Sequence, residues 1–99
     1  MIEKIKVGGI NYSVKEKDLS DFDGNGSIRM GQCFETKAEI EISERLPIER
    51  QNQTLIHELV HAIFFESGIE LENEEEIVNR IGLILYQVLK DNDFSFLKA

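Results

Sequence analysis

The chain has 99 residues, of which 41% are hydrophobic and 30% charged, so it has room for one compact domain with a single core. Its net charge of -8 excludes direct binding to nucleic acid or to an anionic membrane, because phosphates would be repelled. A single cysteine, Cys33, excludes an internal disulfide, and no apolar run approaches the roughly 20 residues needed to span a bilayer. We therefore expect one domain, residues 1–99, in the cytoplasm.

Two strands that turn at a pair of glycines are predicted at the start of the chain. Apolar residues alternate roughly with polar ones over residues 2–14, and the pattern is interrupted at Gly8 and Gly9. A third strand is predicted over residues 38–42, where apolar residues alternate with glutamates. Because one face of this strand is charged, we expect it to lie at an edge of the sheet.

The segment DFDGNGSI between these strands has the ligand spacing of a calcium-binding loop. Asp21, Asp23 and Asn25 fall at the first three ligand positions of an EF-hand, but the last ligand position holds Gln32 instead of a glutamate. A strand-like pattern follows it, whereas an EF-hand requires a helix there. We therefore predict an ordinary turn without calcium.

Two helices are predicted in the second half of the chain. The first begins near Pro47, which a first helical turn tolerates, and ends at Glu66, before the stop signal Ser67-Gly68. Its predicted apolar stripe consists of Ile56, Leu59, Val60 and Ile63. The second helix is predicted from about Glu74 to Lys90, with a core face of Ile77, Val78, Ile81, Ile84, Leu85 and Val88. The apolar residues of the final segment, FSFLKA, are expected to dock back onto the fold.

The first predicted helix carries both histidines of the chain, within TLIHELVHAIF at residues 54–64. His57 and His61 lie one helical turn apart on the same face, so both imidazoles can bind one zinc ion. Glu58 directly follows the first histidine and can accept a proton from a zinc-bound water, whose pKa the metal lowers to about 7. The spacing therefore predicts a hydrolytic site with two histidine ligands and Glu58 as the general base.

The third zinc ligand has to come from another segment, because the chain has no other histidine. Glu74, Glu75 and Glu76 offer three carboxylates at the start of the second predicted helix. They could equally be solvated side chains that favour the positive end of the helix dipole. Helical projection puts Glu74 near the centre of the apolar stripe and Glu75 at its edge. The residues alone leave the choice of ligand open.

The segments IKVGGINYSV, AEIEIS, TLIHELVHAIF and EEIVNRIGLIL, in this order, resemble the short phage and mobile-element zinc metallopeptidases of the ImmA/IrrE group. The resemblance covers nearly the whole chain and is strongest over residues 54–64. In that group the third ligand is a glutamate in a pattern like E-x-x-A-x-x-F-A, which corresponds here to Glu75, although Val78 and Ile81 depart from the pattern. The resemblance thus implies that Zn²⁺ is bound by His57, His61 and Glu75.

Two tyrosines, the cysteine and two strand glutamates are further candidates for roles at such a site. Tyr86 shares a helix face with Glu75 and is a candidate oxyanion donor, as is Tyr12, although packing alone explains both. Cys33 is expected to be a small apolar side chain and not a fourth ligand. Glu39 and Glu41 would favour a basic peptide pairing with the strand at residues 38–42, or would simply keep that edge soluble.

These observations predict an α+β domain of the zincin kind, with a three-stranded, mostly antiparallel sheet packed on two main helices. The resemblance implies a zinc-dependent peptidase that cleaves a specific cytoplasmic protein, such as a phage or mobile-element repressor. A zinc-containing module that sequesters a basic DNA-binding repressor or a host protein without cutting it is the first alternative. A metal-free structural protein is the second.

Overall fold

The computed structural model describes residues 1–19 and 29–98. Its elements, in chain order, are β1 (Lys4–Val7), β2 (Ile10–Lys17), β3 (Gly31–Phe34), β4 (Glu39–Ser43), α1 (Ile48–Glu66) and α2 (Glu74–Asp91). Short 3-10 helices lie at Glu35–Lys37 and Ser95–Lys98. The predicted α+β class and both predicted helices are confirmed. The calcium-like residues Asp21, Asp23 and Asn25 lie outside the described residues, so the turn there stays a prediction.

The described strands form one mixed sheet in the order β1-β2-β4-β3. β1 and β2 form the predicted hairpin, in which Gly8 and Gly9 have φ angles of 59° and 87°. Both positive angles fit a type I′ turn, which glycine adopts without steric strain. β2 pairs in parallel with β4, and β4 pairs antiparallel with β3. The sequence prediction of three mostly antiparallel strands therefore lacked one strand and one parallel pairing.

The strand that was predicted at an edge, β4, lies inside the sheet instead. Its Glu41 is only 6% exposed. Each flanking strand supplies it with a partner: Nε2 of Gln32 donates to Oε1 at 2.6 Å, and Nζ of Lys17 lies 2.6 Å from Oε2. A buried carboxylate with two such partners is compatible with an interior strand. The edge is occupied by β3.

The core lies between the sheet and α1. Tyr12, Ile40 and Ile42 are fully buried and form one cluster with Leu55 and Ala62 of α1. Gln51 secures the start of this helix over the sheet, because its Nε2 donates to Glu16 at 2.8 Å and to the carbonyl of Ser43 at 3.1 Å. One face of α1 is thus held against the strands, and this sets the direction of the histidines.

The apolar residues of α1 face two neighbours, the sheet and α2, whereas the sequence predicted a single apolar stripe. Leu59 packs against the sheet cluster, whereas Val60, which is 2% exposed, is not part of that cluster. Ile63 is 37% exposed, so its placement in a buried stripe was wrong. The reason is that α1 is covered by the sheet on one face and by α2 on another.

The second helix, α2, packs chiefly on α1. Val78 and Gly82 are its buried residues, whereas Ile81 and Ile84 of the predicted core face are 43% and 61% exposed. The final segment does not dock back either, since Leu97 is 71% exposed. α1 lies between the sheet and α2. The side of α2 that faces away from α1 is therefore not covered by another described helix or strand. Neither described helix combines the length and apolar character of a membrane span.

Candidate metal centre

Both histidines of α1 lie on the side of the helix that meets α2, and His57 lines the cleft between the two helices and β3. The imidazole centroids of His57 and His61 are 5.1 Å apart, as one helical turn requires. Both rings are partly buried, with 23% and 14% of the side chains exposed. The helix face predicted from the motif is therefore the face that meets the glutamates of α2.

The second helix brings Glu75 to both imidazoles. Nε2 of His57 lies 2.9 Å from Oε1 of Glu75, and Nε2 of His61 lies 2.9 Å from Oε2. The possible ligand atoms of these three side chains all lie within 4.8 Å of one another. Two imidazoles and a carboxylate form a donor set that catalytic zinc sites use, with the fourth position left for water. The chemistry and proximity of the three residues therefore fit a metal ion.

Glu74 contacts the imidazole of His61 from the side opposite to Glu75. Its Oε2 lies 2.6 Å from Nδ1 of His61, the nitrogen that does not face Glu75. The next carboxylate, Glu76, turns to Arg80 at 3.0 Å on the surface of α2. The three consecutive glutamates thus have three different surroundings, and only Glu75 belongs to the convergent group of the described residues.

Glu58 is buried beside the two histidines. It is 7% exposed and lines, with His57 and Glu75, a cleft of about 300 Å³. Burial raises the pKa of Glu58 to about 7, against the opposing effect of His61 and with a further increase from Glu75. A carboxyl group with such a pKa can exchange a proton near neutral pH, which is what a general base does.

Of the two tyrosines and the cysteine, Tyr86 alone lines the cleft among the described residues. Tyr86 lines the same cleft as Glu58. Tyr12 is fully buried in the core, and its hydroxyl donates to Oε2 of Glu66 at 2.6 Å, so it does not reach the cleft. Cys33 packs against the core, and burial raises the pKa of its thiol. A neutral thiol is a poor metal ligand, in agreement with the expected apolar role.

Sequence reasoning missed two glycines that line the cleft, Gly31 and Gly82. A Cβ atom built on Gly82 would lie 3.5 Å from Cα of His57, an ordinary van der Waals distance, so α2 packs closely on the metal-binding turn of α1 at this glycine. A Cβ atom on Gly31 would lie 2.5 Å from Cγ2 of Thr54, where β3 meets α1. A glycine inside an otherwise unbroken helical pattern indicates close packing, and Gly82 could have been found on that basis.

Comparison with protein families places most of the chain in a known peptidase family. The family model described as Peptidase_M78, IrrE N-terminal-like domain, matches residues 5–81. This range contains His57, Glu58, His61 and Glu75, together with β2, β3, β4 and all of β1 except Lys4. No curated protein and no solved structure was found to match the chain.

Proposed function

Since this chain belongs to the IrrE N-terminal-like domain family of peptidases, whose substrates are proteins or peptides, we propose that it is a zinc-dependent metalloendopeptidase. The proposal rests mainly on one observation: the buried Glu58 opens onto the same cleft as His57 and Glu75. Hydrolysis needs a carboxylate that lies beside the metal ligands without being one of them. A carboxylate that served only to bind the metal would be one of the ligands.

In the proposed mechanism, His57, His61 and Glu75 hold the metal, and Glu58 moves the proton. Bound zinc supplies a water of lowered pKa and polarises the scissile carbonyl. Glu58 accepts the proton of the attacking water at its carboxylate and then delivers it to the leaving amine nitrogen. Tyr86, on the α2 side of the cleft, donates a hydrogen bond from its hydroxyl to the developing oxyanion.

In this proposal the substrate strand pairs with β3 and not with β4, for which the sequence left peptide pairing as one of two alternatives. β3 is an edge strand of the described sheet, and Gly31 at its start lines the cleft. An extended peptide added to β3 would therefore pass close to Glu58. The net charge of -8 favours a basic partner, and we propose a specific cytoplasmic protein such as a phage or mobile-element repressor.

A second candidate function is sequestration of such a protein without cleavage. It is favoured by the exposed apolar residues of α2, since Ile81, Leu83 and Ile84 are 43%, 64% and 61% exposed. Exposed apolar residues grouped on one element are typical of protein–protein contacts. The two functions make opposite predictions for a variant that lacks only the general base.

The test is cleavage of candidate repressor proteins by the zinc-loaded chain and by Glu58→Gln. We expect the wild type to cut its substrate, and Glu58→Gln to bind zinc equally well without cutting. Glu70→Gln, an exposed glutamate outside the cleft, is the matched control and should cut normally. A Glu58→Gln variant that inactivates the repressor as well as the wild type does would support sequestration, and loss of zinc would contradict its role as a base.

A further inference from the structure

We infer that Glu74 is a positioning residue, which orients His61 for the metal by accepting a hydrogen bond from its Nδ1–H group. This inference rests on the proposed zinc site, and it adds a residue that contacts neither the ion nor the substrate. The contact gives Glu74 a role different from that of the adjacent ligand Glu75.

The geometry gives the two nitrogens of His61 separate partners. Nδ1 lies 2.6 Å from Glu74, and Nε2 lies 2.9 Å from the carboxylate of Glu75 that also meets His57. The Glu74 side chain is 30% exposed, compared with 67% for Glu75. A hydrogen bond in the less exposed position competes less with water and so constrains the ring more strongly.

Imidazole chemistry explains what this contact does. A neutral histidine carries its proton on one nitrogen only, and the other nitrogen must present its lone pair to a metal. Because the Glu74 carboxylate accepts a hydrogen bond from Nδ1–H, it favours the tautomer that keeps the proton on Nδ1 and leaves the lone pair of Nε2 free. That nitrogen is the one that faces Glu75 and His57. Carboxylates that bind the second nitrogen of a metal-binding histidine fix the tautomer and the ring orientation in this way.

The other histidine provides an internal comparison. Among residues 1–19 and 29–98, Glu75 is the polar partner of Nε2 of His57, and Nδ1 of His57 has no polar partner. The positioning contact is therefore specific to His61. A variant of Glu74 should change one imidazole and leave the other as it is.

The experiment compares zinc affinity, measured by competition with a chromophoric chelator, in Glu74→Ala, Glu74→Gln and Glu76→Ala. We expect Glu74→Ala to bind zinc about 10- to 100-fold more weakly, as is usual when such a partner is lost. Glu74→Gln keeps an acceptor oxygen and should recover most of that loss. Glu76→Ala removes a neighbouring surface carboxylate and should leave the affinity unchanged.

Imidazole ¹⁵N and ¹H NMR spectra of the zinc-loaded variants give a second readout, which a purely structural role would not alter. The chain has only two histidines, so each ring can be assigned. In Glu74→Ala, the Nδ1–H proton of His61 should shift upfield as it loses its acceptor, while the signals of His57 should stay in place. Glu74→Gln should resemble the wild type more closely.

Three results would overturn the inference. Wild-type affinity in Glu74→Ala, with an unchanged Nδ1–H signal, would show that the contact does not position His61. Complete loss of zinc in Glu74→Ala together with retention in Glu75→Ala would show that Glu74 is itself a ligand. Failure of the wild type to bind zinc would overturn the proposed function as well, so the two failures are distinguishable.

Discussion

Replacing Gly82 with alanine should stabilise the protein without weakening the metal site. The new Cβ would lie 3.5 Å from Cα of His57, 3.9 Å from its N and 4.0 Å from its Cβ, all ordinary van der Waals distances. Glycine inside a helix costs about 0.5–1 kcal/mol relative to alanine, and the buried methyl group adds packing in the same direction. For a domain of this size, about 1 kcal/mol corresponds to a rise in melting temperature of about 4–8 °C.

The matched variant is Gly31→Ala, where the structure predicts the opposite sign. Its Cβ would lie 2.5 Å from Cγ2 of Thr54 and 3.1 Å from the carbonyl oxygen of Glu41, so β3 or α1 would have to shift. Overpacking of this kind costs about 1–3 kcal/mol. The assay is thermal unfolding of both variants in a chelator, followed by zinc titration. A lower melting temperature or weaker zinc binding in Gly82→Ala would refute the helix spacing on which the site depends.

Two further predictions concern the metal ligands and the buried carboxylate of Glu41. His57→Ala and His61→Ala should each lose zinc. Because binding to the native state adds to folding stability, zinc should raise the melting temperature of the wild type but not that of the variants. A wild type whose melting temperature is unaffected by a chelator would contradict this prediction. Burial favours protonation of Glu41, but its hydrogen bonds to Lys17 and Gln32 lower its pKa overall below the ordinary 4.5. Its ionised form therefore contributes stability above about pH 4.5, which is lost as the pH falls through the lowered pKa. Glu41→Gln should lack this acid-dependent loss in denaturant titrations, and parallel curves for variant and wild type would exclude it.

Local signals in the sequence were sufficient for the helices. Pro47 and the pair Ser67-Gly68 mark the ends of α1, and the structure places this helix at Ile48–Glu66. The histidine spacing also depends only on helical geometry, so the shared face of His57 and His61 could be predicted without knowledge of the fold.

The sheet could not be predicted in the same way, because the surroundings of Glu41 come from distant segments. An alternating strand with glutamates looks like an edge strand unless Lys17 and Gln32 are known to meet the carboxylate. Lys17 lies on β2 and Gln32 on β3, and only the strand order places both beside Glu41 on β4. β3 itself has four residues, too few for a periodic pattern to be clear.

The choice between Glu74 and Glu75 also depends on packing. Adjacent helical residues differ by about 100° in direction, and both side chains are glutamates, so residue type does not distinguish them. The packing of α2 on α1 turns Glu75 toward both Nε2 atoms and Glu74 toward Nδ1 of His61. The different roles proposed for the two glutamates therefore follow from tertiary structure.

The most direct test of the proposed metal centre is anomalous X-ray diffraction from crystals of the zinc-loaded protein, with data collected on both sides of the zinc absorption edge. We expect one anomalous peak per chain, about 2.0–2.2 Å from Nε2 of His57, Nε2 of His61 and a carboxylate oxygen of Glu75, with Glu58 close by but outside bonding distance. A peak bonded to Glu74 in place of Glu75, or no peak between the two histidines, would contradict the proposed site.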